Sequence, residues 1–280
     1  MISGLLQYEF LQNAFITGLI IGIIAPLLGV FIVVRRQALI ADALSHVTLA
    51  GIAFSLFMEK KILNGAAFIN PLYMGMAFSV MGSLFIERLR NIYKHYQELA
   101  IPIILSGGIG VSAIFISLAE GFNTDLFNYL FGSVSAVSRA DLWTIVGVAV
   151  IVIAIIIFLY KELFLLSFDE DHAKASGIPA KYIHFVFIIL VALVIAASMR
   201  IVGILLVSSL MTLPVAASMR IANGFKQMIA YSVIFGEISV IGGLFLSYYL
   251  DLAPGGTIVM IAIVILMAAI GFKKFKVNRA

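Results

Sequence analysis

The sequence predicts an all-α fold: a polytopic membrane helical bundle of about nine transmembrane helices, organised as a single domain over residues 1–280. Three observations predict it. Hydrophobic residues make up 63% of the chain and charged residues only 11%, where a soluble domain carries about 25% charged residues. Apolar stretches close to the ~20 residues that cross a bilayer recur along the chain. The basic residues between those stretches are distributed unevenly on alternate sides.

The nine stretches follow in order. The first lies between Glu9 and Arg35, and the second runs from about Gln37 to Met58, interrupted by Asp42 and His46. The third lies between Lys61 and Glu87, the fourth between Glu98 and Glu120, and the fifth between Asp141 and Lys161. The sixth and seventh are short and flank Arg200, at about Lys181–Ser198 and Ile201–Arg220. The eighth, between Lys226 and Asp251, contains Glu237, and the ninth lies between Asp251 and Lys273. The segment Thr124–Ser138 is too polar and too short to cross and is expected as a short helix at the outer surface.

With nine crossings, fourteen of the 18 Lys and Arg residues fall on one side, leaving Lys60, Lys61, Arg139 and Arg200 on the other. The richer side is expected to be cytoplasmic, which places the N-terminus outside and the C-terminus inside. Adding or dropping one helix would scramble the asymmetry. The first Lys or Arg is Arg35, so no basic n-region of a cleavable signal is visible. A net charge of +4 gives no reason to expect a nucleic-acid partner, and the absence of Cys excludes disulfides and thiolate metal sites.

Ionisable groups within spans are costly and are candidates for function. Asp42 and His46 are four residues apart and share a face of the second helix. From Arg36, a rise of about 1.5 Å per residue puts His46 roughly 15 Å deeper, near the bilayer midplane. A carboxylate and an imidazole together make half a site for a divalent transition ion, and two ligands suit a transient stop better than four. The competing reading is an Asp–His hydrogen bond that only packs helices. Glu237 is either a further acid of the pathway or a protonated group within the bundle. His184, close to Lys181, reads as an ordinary interfacial residue, and His95 as solvated. Ser208, Ser209 and Thr212 precede Pro214, which is expected to disrupt the seventh helix and either line a polar path or kink it.

Between the fifth and sixth spans the chain reads SFDEDHAKASGIP, Ser167–Pro179. Acidic residues Asp169, Glu170 and Asp171 suit a helix start, and Gly177 with Pro179 suits its end, which predicts a surface helix of two or three turns. Such a helix either docks a partner or is an inter-span loop.

At these residues the chain resembles the permeases of zinc and manganese ABC importers, over nearly its whole length. The similarity rests on GVFIVVRRQALIADALSHVTLAGIA (Gly29–Ala53), TDLFNYLFGSVSAV (Thr124–Val137), SFDEDHAKASGIP, VGILLVSSLMTLPVAAS (Val202–Ser218) and LDLAPGGTIV (Leu250–Val259), in order. It implies a type II ABC importer permease-like bundle in the bacterial plasma membrane, paired with a second permease subunit, expected as a homodimer, with the path between them. Two cytoplasmic ATPase subunits and an extracellular metal-binding lipoprotein are the other implied partners. Asp42 and His46 match the family's pathway Asp and His. The segment at about 164–180 matches its coupling helix, with Phe168, Asp169, Glu170, Asp171, Ala173 and Gly177 as the implied ATPase-coupling residues. The cargo is Zn²⁺ or Mn²⁺ and this subunit holds no cofactor. Manganese-type members read A-V-L-P-G after the histidine, where Val47–Gly51 here is V-T-L-A-G, so zinc is favoured. The chain lacks the G-x-x-x-x-G-K-[ST] phosphate loop, so it is a transport subunit rather than an enzyme, and the partner spends the ATP. The rivals are a secondary cation transporter or channel working without an ATPase, and a membrane metalloenzyme, for which the H-E-x-x-H pattern is missing.

Overall fold

The structure, a computed structural model, describes residues 8–62, 70–119, 121 and 124–277. Twelve α-helices follow one another among the described residues: α1 (Glu9–Val34), α2 (Leu39–Phe57), α3 (Pro71–Ile92), α4 (Ala100–Leu118), α5 (Thr124–Phe131), α6 (Arg139–Phe158), α7 (Tyr160–Phe168), α8 (Glu170–Ala175), α9 (Ala180–Val202), α10 (Ile204–Ile221), α11 (Phe225–Leu250) and α12 (Pro254–Val277). Eight of them are long and apolar enough to cross a membrane: α1, α2, α4, α6, α9, α10, α11 and α12. Helix α3, which occupies the third of the nine expected stretches, is not among the eight. It has 22 residues, with Glu87, Arg88 and Arg90 gathered at its end, and it packs between α2 and α9.

Contacts at the helix ends confirm the alternation. At one end Glu9 meets Arg139, Lys60 donates to the Ala119 carbonyl, and Arg200 meets Asp141. At the other, Arg35 and Arg90 meet His184, and Phe225 packs on Phe31 and Phe164. The long helices run back and forth between these two ends. Helix α5 stays at the Arg200 end, and α7 and α8 stay at the Arg35 end.

A central layer of α1, α9 and α10 carries the core, with α2, α3 and α4 on one flank and α11 and α12 on the other. Lipid tails are as apolar as the side chains they would replace, so close approach rather than hydrophobicity has to hold such helices together. Small residues provide it. Gly29 of α1 lies against the Met211 carbonyl of α10, where no Cβ fits. Pro26 has no N–H for the Gly22 carbonyl, and Gly236 of α11 fits onto that carbonyl, where its Cβ would lie 2.7 Å away.

Three expectations change and one gains detail. Arg200 lies inside α9, and the break between the sixth and seventh spans falls at Gly203, because a paired arginine does not end a helix whereas a φ of 83° does. Helix α5 forms as expected at one end of the bundle, with Phe127 57% exposed, and its other face is seated: Leu126, Tyr129 and Leu130 are buried against α9 and α10. Pro214 sits within an unbroken α10. The predicted two- or three-turn helix is only the six-residue α8, and a separate helix, α7, precedes it after a bend at Leu159.

Candidate functional site

Helix α2 is clasped by glycines. Gly108 of α4 lies over its backbone, an added Cβ being 3.0 Å from the Val47 nitrogen. Gly82 and Gly75 of α3 fit against Val47 and Thr48. Ser45 and Thr48 return their hydroxyls to the Ala41 and Leu44 carbonyls, one turn back, and so make no demand on neighbours. The result is a helix buried nearly all round. Between Ile40 and Ala53 only Asp42, His46 and Val47 are not buried. Among the described residues neither Asp42 nor His46 makes a hydrogen bond or ion pair, so the packing role weighed for the pair is not what the structure contains. The pair forms the open stripe of an otherwise enclosed helix, one and two turns above Leu39.

Helix α10 packs beside α2 and brings its own polar stripe. Ser208, Ser209 and Thr212 are half-buried, with Thr212 donating to the Ser208 carbonyl at 2.9 Å. Glu237 is not part of this group. It belongs to α11 on the opposite flank, over Gly22 of α1, where an added Cβ would lie 2.7 Å from Oε1. That oxygen is buried without a hydrogen-bond partner among the described residues. The fold thus joins Asp42 and His46 and leaves Glu237 apart. Among the described residues no three or more His, Asp or Glu are placed so that they could together hold a metal ion.

The segment expected to dock a partner is built for local rigidity. Asp169 caps α8, accepting from the His172 N–H at 2.8 Å, and Glu170 pairs with Lys174 at 2.8 Å. That pairing holds the Glu170 carboxyl below, and the Lys174 ammonium above, its ordinary range. Gly177, with φ 82°, turns the chain back after the helix. Phe168, Asp169, Glu170 and Asp171 are exposed. Ala173 is fully buried in the core, so it is the seat of α8 on the bundle and not a surface open to a partner; the implied coupling role does not fit that residue.

Two polar networks were not anticipated from sequence. At one end, Arg200 reaches Asp141 (3.0 Å), the Ala136 carbonyl (2.8 Å), the Tyr129 hydroxyl (2.9 Å) and Asn70 Oδ1 (3.4 Å), while Ser138 donates to Asp141 through both N–H and hydroxyl. At the other, Arg35 Nη1 lies 3.1 Å from His184 Nδ1, Arg90 Nη1 contacts His184 Nε2, and Glu87 lies 3.8 Å from the same ring nitrogen. The only sequence signal was a charge near a span boundary, and its partner lies 59 to 149 residues away.

Residues 7–273 match the ABC 3 transport family. A probable metal transport system membrane protein of Treponema pallidum is 35% identical over 266 residues, 95% of this chain and 96% of that one. The manganese transport system membrane protein MntC of Listeria monocytogenes is 35% identical over 97% of this chain and 93% of its own. Among solved structures, PsaBC from Streptococcus pneumoniae in complex with Fab superposes with a TM-score of 0.82 at 33% identity, covering 96% of this chain and 93% of that one.

Proposed function

The chain belongs to the ABC 3 transport family and is a transport subunit rather than an enzyme, and from that premise we propose that it is the permease of an ATP-driven importer whose cargo, a divalent transition-metal ion, passes the Asp42–His46 stripe. The observation that carries this is the exposure pattern of α2: between Ile40 and Ala53 it opens only at Asp42, His46 and Val47, and the first two are groups able to replace a cation's water. The family premise displaces the gradient-driven transporter and channel.

A second copy of the chain covers the α2 stripe in this reading, so that cargo moves along a seam between two subunits. The basic end of the bundle faces the cytoplasm, with the N-terminus outside, and residues 164–180 meet a pair of ATPase subunits through Phe168, Asp169, Glu170 and Asp171. An external metal-binding protein delivers the ion at the Arg200 end. ATP-driven closure of the partners rocks the segment and opens the path to each side in turn.

For the cargo we rank manganese before zinc. The relative from Listeria monocytogenes is named for manganese, as is the permease ScaB of Streptococcus gordonii, 33% identical over 96% of this chain. The V-T-L-A-G stretch that favoured zinc bears on packing instead: Thr48, Leu49, Ala50 and Gly51 are buried, and Gly51 lies against Met74 and Phe78 of α3. An Asp–His pair accepts either ion.

The test is uptake into vesicles holding the assembled transporter. Asp42→Ala and His46→Ala should each lower manganese uptake by more than about tenfold, with assembly unchanged on size exclusion. Full uptake by both variants would remove the stripe from the path. Zinc outcompeting manganese at equal concentration would reverse the ranking.

A further inference from the structure

The inner network around His184 has a charge arrangement that its own residues do not satisfy. A neutral imidazole has one ring nitrogen that donates and one that accepts. Here both ring nitrogens face guanidinium groups, which only donate. In either tautomer one arginine N–H therefore meets a ring N–H. Arg35 Nε is also buried without a hydrogen-bond partner among the described residues, and burial first, with Arg90 adding to it against the pull of Glu170, pushes Arg35 down to about 10.

These groups line a cavity of about 290 Å³ between the α1–α2 turn, the end of α3, the α7–α8 segment and the start of α9. Arg36, Lys174 and Lys181 complete its basic lining, against two carboxylates, Glu87 and Glu170. Lys174 already occupies Glu170. Three positive charges of the lining are thus left uncompensated. A second cavity of about 830 Å³ shares Arg35, Arg36 and Arg90 and adds Lys94 and Glu98, whose charges offset each other, so the excess of positive charge carries through to it.

We propose that this cavity binds a phosphate-class oxyanion, either the headgroup of an anionic lipid or free phosphate, with Arg35 and Arg90 as its principal donors and Lys181 at its rim. An oxyanion accepts from both guanidinium groups, gives Arg35 Nε an acceptor and frees the imidazole to pair with one arginine. Guanidinium forks match phosphate oxygens in pairs, and the site lies at the end of the bundle where helices leave the apolar layer, within reach of a lipid headgroup. The site does not depend on what the α2 stripe carries.

The full-length chain, purified in detergent and stripped of lipid, tests this. Thermal unfolding is followed with phosphatidylglycerol, with phosphatidylcholine, and with inorganic phosphate against chloride at equal ionic strength. Native mass spectrometry counts retained lipid. Phosphatidylglycerol that stabilises and stays bound, where phosphatidylcholine does not, assigns the site to a lipid headgroup. Stabilisation by inorganic phosphate, with the two lipids equivalent, assigns it to free phosphate. Arg90→Gln should weaken either response by about tenfold, and Lys181→Gln, an exposed rim change, should weaken it less. No response to either anion, or a response unchanged in both variants, overturns the proposal.

Discussion

Arg200 and Arg35 stand at opposite ends of the same central helices and meet opposite surroundings. Arg200 faces one carboxylate, Asp141, which is 1% exposed, and spends its other donors on a carbonyl, a phenol and an amide oxygen. The positions it joins belong to α3, α5, α6 and α9, so one side chain fastens four elements. Gly132 and Gly203, both in the left-handed region, let α5 lie directly on the α9–α10 junction behind it. Arg35 instead faces an imidazole already contacted by Arg90, and the acidic groups nearby are fewer than the basic ones. One end is a closed, charge-matched lock. The other is an open, positively charged joint to which the α7–α8 segment is attached. The asymmetry suits the proposed function, in which the joint is the end that changes its contacts while the lock holds α5, α6 and α9 together.

The largest effect is expected at the lock. Arg200→Gln leaves the Asp141 carboxylate buried and unpaired, a change that costs about 3–5 kcal/mol, read as a fall in thermal midpoint of the purified chain. The joint should respond quite differently. Two unit charges on opposite sides of a ring, roughly 8 Å apart, repel by about 2 kcal/mol at an effective dielectric constant near 20, and one hydrogen bond to a charged donor contributes about 1.5–3 kcal/mol. The two nearly cancel, so Arg90→Gln in lipid-free detergent should move stability by less than about 1 kcal/mol. Equal losses at Arg200 and Arg90 would erase the contrast between lock and joint.

The parts of this architecture that were legible in the sequence are those written in short spacings. The long helices, eight of them apolar enough to cross, followed from where charges interrupt apolar runs, because a charge is expensive in lipid. Asp42 and His46 were legible as a pair because four residues make one helical turn. The separation of Glu237 was not, since no spacing tells that α11 lies across α1 from α2. The seat of α5 was equally hidden: the groove that takes Leu126 and Leu130 is made by α9 and α10, some 70 residues later. Arg200 was misread as a helix boundary because its neutralising partner, Asp141, is 59 residues upstream. In each case the missing information was which helices are neighbours, and that is set by small-residue contacts such as Gly108 on α2 and Gly236 on α1 rather than by any local pattern.

Within the joint, α8 supplies the finest test. Removing its cap by Asp169→Ala should cost α8 about 1 kcal/mol, read as faster hydrogen exchange in its backbone amides. The Glu170–Lys174 pair is more than half exposed on the carboxylate side and half exposed on the amine side, so solvent screens it, and about 0.3–0.5 kcal/mol is expected. Its pH dependence has a definite sign. Glu170 is lowered from 4.5, so its contribution is fully present above that value and is lost as pH falls through the lower folded one. Lys174 is raised from 10.5, so its contribution is present below that value and is lost as pH rises through the higher folded one. Exchange of the α8 amides, corrected for intrinsic rates, should therefore be flat between those limits, rise by about twofold in acid, and lose that acid rise in Glu170→Gln. A wild-type profile that stays flat through pH 3 would mean that α8 is held by Ala173 in the core and by Asp169 alone, and that the pair contributes nothing to the rigidity of the joint.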